Sequence, residues 1–207
     1  MTSINQATAL HEFVQGARSL FASEPDPEKR WEALRPIFAR LLADPAVVAA
    51  SKKWPDCRFV DNRVDNLLFY EDPDYKFVIN ALVTSAGGFK NVTTTTIHDH
   101  GDIYTLFGLL DGTQRIERYE RVDDRSKPGH AEIRKTFDSK CGPGEMDFVR
   151  PFEIHSDDTM GERSVAIIIR SERSDEIPVG RYQPEKNSCW EAPGPRQIKV
   201  SFYSEGP

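Results

Sequence analysis

Two histidines stand one residue apart in Ile97-His98-Asp99-His100-Gly101, and a third, His155, lies well downstream of a Pro143-Gly144 turn. In an extended segment, side chains two apart project to the same face. His98 and His100 then share one volume, and Asp99 points the other way. Two converging imidazoles are a natural start for a transition-metal site, and His155 can complete it if the chain folds back across the pair. Three neutral imidazoles leave a divalent ion, such as Fe, Zn, Ni or Mn, its full charge and open positions. The competing reading is two exposed strand histidines and an unrelated loop histidine.

Other residues near these three could take part. Asp99 and Asp102 are acceptors placed to orient an imidazole, or are solvated loop carboxylates. Glu153, two residues before His155, is a candidate extra ligand or general base, or a rim carboxylate in a salt bridge. Tyr104 follows the histidine pair and is a candidate catalytic group or a core tyrosine. The remaining histidines, His11 and His130, are expected at the surface. Cys57, Cys141 and Cys189 are odd in number and form no CxxC pair, so a disulfide framework is not expected and a reducing compartment is.

These residues need elements to position them. Apolar groups at Ala9, Leu10, Phe13, Val14, Ala17 and Leu20 have helical spacing. A second helical pattern runs from Trp31 to Leu42, where Pro36 suggests a kink or restart, and Asp44-Pro45 opens a short third helix. From Trp54 onward the pattern is short β runs separated by turns. Strands are expected at Leu67–Tyr70, Phe77–Thr84, Thr93–Ile97, Tyr104–Leu110, Arg115–Val122, Ala131–Phe137, Met146–Val149 and Ser164–Ile169. Asp111-Gly112 is a hairpin signal. The tail from Pro178 is expected to be an irregular strap, with a last strand at Gln197–Tyr203. This is a mainly β jelly-roll barrel, residues 56–207, with a helical segment, residues 1–55, packed on it as one domain.

The 207 residues suffice for one sizeable core. A net charge of −6 argues against nucleic acid as a partner, since phosphate binders carry a basic face. Mean hydropathy is −0.55, and no apolar run approaches the roughly 20 residues of a membrane helix. The first residues show no basic region followed by an apolar core, so a cytoplasmic location is expected.

The arrangement resembles the cupin superfamily. Its first motif is matched by His98, His100 and Gly112, and its second by Pro143, Gly144 and His155. The family's leading glycine would fall near Val92, and its carboxylate ligand near Tyr104 or Thr105; both are absent. Three histidines without that glutamate resemble the thiol dioxygenases, the group of cysteine dioxygenase and 3-mercaptopropionate dioxygenase. The resemblance spans roughly residues 6–170 and is specific in the two metal motifs. It implies a cupin double-stranded β-helix, mononuclear Fe(II) held by His98, His100 and His155, and a small-molecule substrate oxidised with O2.

The chain departs from that family on the strand after His155. The family's Ser-x-His-x-Tyr relay corresponds to Ala166, Ile168 and Arg170, and its crosslinking cysteine to Thr105. The substrate-binding arginine of cysteine dioxygenase falls near Asp65. An anionic substrate therefore needs another cation, and Arg63, Arg170 and Arg181 are the candidates. Arg170, in the relay tyrosine's place, should face the cavity and is a candidate catalytic residue as well. The expected activity is oxidation of a small thiol such as cysteine or 3-mercaptopropionate. Alternatives are another three-histidine dioxygenase, for example one that cleaves diketones, or a metal-binding sensor without catalysis. A homodimer is plausible.

Overall fold

The computed structural model describes residues 8–89, 96–175 and 177–203. Three helices come first: α1 (Ala9–Ser23), α2 (Pro27–Ala43) and α3 (Pro45–Ser51). Each starts at a side-chain cap: Thr8 accepts from the His11 N–H, Asp26 from Lys29, and Asp44 from Ala46 and Val47. Helix α2 runs unbroken through Pro36, correcting the expected restart. Pro36 is on the exposed face, where the carbonyl it leaves without a partner can meet water.

The strands are β1 (Phe59–Val60), β2 (Arg63–Glu71), β3 (Val78–Thr84), β4 (Thr105–Asp111), β5 (Gln114–Arg121), β6 (Ile133–Cys141), β7 (Met146–Val149), β8 (Ile154–Thr159), β9 (Ser164–Arg170), β10 (Pro178–Gln183), β11 (Ser188–Pro193) and β12 (Arg196–Lys199). One sheet has the order β1-β2-β3-β9-β4-β7, with β12 parallel to β2. The opposing strands are β6-β5-β8 and the hairpin β10-β11. His98 bridges β8 through His155 and β10 through Arg181, and so joins these strands into one curved face. The result is a mainly β jelly roll with a cavity between its two faces.

Several expectations are corrected here. The tail from Pro178 is a regular hairpin rather than an irregular strap. The last strand is shorter than expected, ending at Lys199. The strand expected at Thr93–Ile97 falls mostly outside the described residues. Its continuation to His100 makes only isolated bridges among the described residues.

The larger sheet is covered on both sides, which explains why β9 is buried at every position. Its outer face packs under Phe13, Trp31, Leu34, Phe38 and Leu42 of the helices. A β-carbon on Gly108 of β4 would lie 2.4 Å from Leu42 Cδ1, so glycine lets α2 seat on the sheet. The inner face joins Phe107, Leu109, Ala166 and Ile168 to Ile116 of the opposite sheet.

Candidate metal centre and its cavity

Strand alternation decides which side chains reach the cavity. From the larger sheet these include Val64 and Asn66, Leu82 and Thr84, Thr105 and Phe107, and Ile168 and Arg170. From the smaller one come Gln114 and Ile116, His155 and Asp157, and Val179 and Arg181. They enclose about 300 Å³.

His98, His100 and His155 meet in this cavity, each offering a ring nitrogen within 4.8 Å of the other two. Their ring centroids are 4.4–5.0 Å apart. Each is held from behind. His98 Nδ1 donates to the Thr96 carbonyl at 2.7 Å, and His155 Nδ1 to the Glu153 carbonyl at 3.3 Å. A carbonyl only accepts, so these two rings carry their proton on Nδ1 and present a bare Nε2. His100 Nδ1 lies 3.0 Å from Thr105 Oγ1. Burial, together with the neighbouring His155, Arg170 and Arg181, pushes His98 and His100 well below the usual histidine range, so both are neutral.

The donor set fits a divalent transition ion. His98 Nε2 and His100 Nε2 are 3.2 Å apart. Two nitrogens each about 2.0–2.1 Å from one ion lie roughly 3 Å from each other. Each ring's outer nitrogen faces an oxygen, the arrangement that orients metal-binding imidazoles.

Asp99 anchors the segment from the other side. Its buried carboxylate accepts from Gly101 N–H, Gly180 N–H and Tyr182 O–H at 2.8, 2.9 and 2.7 Å. A β-carbon on Gly180 would sit 2.2 Å from Asp99 Oδ2, so only glycine allows this approach. Asp102 is exposed.

Two of the three candidate arginines face the cavity. Arg170 is 4% exposed; its Nη1 donates to Asn66 Oδ1 at 2.8 Å and leans toward Asn80 Oδ1 at 3.4 Å, while Nε has no partner. Both acceptors are amides, and burial lowers the guanidinium to about 10. The Arg181 side chain makes neither a hydrogen bond nor an ion pair among the described residues, and burial lowers it too. Asp157 is the carboxylate that acts on both across the cavity, and burial raises it above the ordinary range.

Three expected site residues lie elsewhere, and strand phase explains two of them. Tyr104 neighbours the inward Thr105, so it points outward and is sandwiched between Trp31 and Phe148, with centroids 6.0 and 6.1 Å away. Arg63 neighbours the inward Val64, so it points outward and donates to the carbonyls of Gly194 and Asp175. Glu153 lies before β8 begins; it pairs with Arg118 at 2.7 Å and accepts from the Arg150 N–H at 2.9 Å. Its link to the site is its backbone oxygen.

Sequence reasoning missed Asp157, Asn66 and Asn80. Asp157 carried a signal, being two residues after His155 on the same strand face. Asn80 is the lone polar residue in the run Val78-Ile79-Asn80-Ala81-Leu82-Val83.

No protein-family model matches this chain, and no curated protein matches it. Solved structures to which this chain is similar include the cupin domain of Schizosaccharomyces pombe Cnp3, at 10% identity over 51% of this chain and 57% of that one, TM-score 0.36. KdgF from Halomonas sp. is similar at 16% identity over 58% of this chain and 89% of that one, TM-score 0.38. Recombinant oxalate oxidase in complex with glycolate is 13% identical over 46% of this chain, TM-score 0.35, and the match spans 42% of that protein. Likenesses of this size leave activity to be argued from the site itself.

Proposed function

We propose that this chain is a cupin-type oxidoreductase that holds Fe(II) on His98, His100 and His155 and uses O2 to oxidise a small thiol-bearing acid. The observation that carries the proposal is a three-imidazole cluster that has, among the described residues, no carboxylate donor, set beside two guanidinium groups that have no described carboxylate within salt-bridge distance. When bound, Fe(II) supplies a Lewis-acidic centre with open positions for a thiolate and dioxygen. The overall reaction converts R–SH and O2 into R–SO2H, with both oxygen atoms in the product.

The chain's own residues do the rest. Thr105 and the carbonyls of Thr96 and Glu153 fix the three rings, so the ligand nitrogens need little reorganisation. Arg170, steadied by Asn66, and Arg181 bind and orient the substrate carboxylate. Their charge also favours the thiolate over the thiol. Phe107, Ile168 and Val149 keep that end of the cavity dry.

The test is oxygen uptake by the Fe(II)-loaded protein with cysteine, 3-mercaptopropionate and cysteamine. Uptake is expected with the two acids and not with cysteamine, which lacks the carboxylate. Absence of uptake with all three removes the thiol assignment.

A further inference from the structure

The cavity continues well past the histidines. Arg170 is paired with Thr105, whose hydroxyl touches His100, so the metal-binding end and Arg170 start at one level of the barrel. Leu82 pairs with Ala166, four residues from Arg170 along β9, a rise of roughly 13 Å. Phe59 pairs with Val64 near that same end of β2 and β3, and the rings of Phe59 and Phe89 lie 6.4 Å apart. Phe59, Val64, Leu82 and Phe89 line the same cavity as the histidines. The Arg170 side chain leans toward Asn66 and Asn80, which places its guanidinium between the histidines and this apolar end.

A three-carbon thiol acid spans the histidines and the guanidinium groups and leaves the far end of this space for a larger member of the same class. The cavity of about 300 Å³ equals the volume of about ten waters. The far wall of Phe59, Phe89, Val64 and Leu82 is apolar and half-buried, the lining that gains most from covering an apolar ligand group.

We infer that the ligand is an amphiphilic organic acid, with a carboxylate held by Arg170 and Arg181 and an aromatic or branched apolar group held against Phe59, Phe89 and Leu82. The inference rests on this cavity being the substrate site of the proposed function, and it deepens that reading by naming the rest of the molecule.

Calorimetric titration of the full chain, as purified and after chelation, tests it with 3-phenylpropionate, propionate and 3-phenylpropionamide. The phenyl acid is expected to bind at least about tenfold tighter than either of the others, because each lacks one of the two recognised groups. In Arg181→Gln the preference for acid over amide collapses while amide affinity holds. Among the described residues the Arg181 side chain has no hydrogen bond or ion pair to lose, so this variant is expected to fold. Phe59→Ala and Phe89→Ala each weaken the phenyl acid and leave propionate unchanged. Equal affinities for phenyl acid and propionate, equal affinities for acid and amide, or no binding at millimolar concentration each overturn the inference. These affinities are read without oxygen or added iron, so their failure is separate from a failure of thiol oxidation.

Discussion

The Nε2 atoms of His98 and His100 face each other at 3.2 Å, while His98 Nδ1 is committed to the Thr96 carbonyl. With His98 Nε2 an acceptor, a proton on His100 Nε2 can bridge the two nitrogens in the absence of metal. A cation in the place of that proton takes both nitrogens as ligands, and the nearby ring nitrogen of His155 supplies a third donor.

The first prediction concerns that cation. Wild-type protein is expected to take up one divalent transition ion per chain, measured by elemental analysis and titration. His98→Ala, His100→Ala or His155→Ala should each weaken binding by more than about 100-fold, exceeding the effect of an outer partner.

Thr105 tests the support behind the site. Thr105→Val keeps the side-chain shape and removes the hydroxyl 3.0 Å from His100 Nδ1. Metal affinity is expected to fall about 10–100-fold with the fold intact by circular dichroism, and Thr105→Ser should restore most of it.

Asn66 tests the buried guanidinium. Asn66→Leu strips the 2.8 Å acceptor from Arg170 and leaves a buried cation less satisfied. A loss of about 1–3 kcal/mol in unfolding free energy is expected by denaturant titration. Adding Arg170→Met to this variant should recover stability, because the stranded charge is then gone.

Alkaline pH tests the burial of Cys57. Burial raises its thiol from 9.0 to about 11. The unfolded chain therefore loses this proton first, and stability that is complete below pH 9 declines as pH rises toward 11. The decline from this group is on the order of 2–3 kcal/mol. Cys57→Ala should flatten the pH 9–11 slope relative to wild type, whatever its cost at neutral pH.

Packing of the helical layer is tested at Gly108. A methyl group there meets Leu42 and Phe38 at 2.4–2.8 Å. Gly108→Ala is expected to destabilise by about 1–3 kcal/mol, read as a lowered melting temperature.

The sequence by itself determined the helices, most of the barrel strands and the convergence of His98 with His100. The spacing of His98 and His100 acts over a distance of two residues, and extended backbone converts it into convergence without further information. The helical spacing in α1 and α2, and the Pro-Gly and Asp-Gly turns, are equally local signals. Arg170 was legible through the family resemblance, since it stands in the relay tyrosine's place.

Tertiary structure decided what local periodicity leaves open, namely which face of each strand looks inward. A phase of one residue exchanges every inward side chain for its neighbour. Because α2 covers the outer face of β4, Tyr104 packs on Trp31 and Thr105 supports His100. The same choice on β2 turns Asn66 toward Arg170 and Arg63 toward the tail. The tail itself folds back as the hairpin β10-β11, and pairing of Arg181 with His98 is what carries that arginine to the cavity. These contacts join residues far apart in the chain, so their geometry is set by packing around a shared core and not by any local pattern.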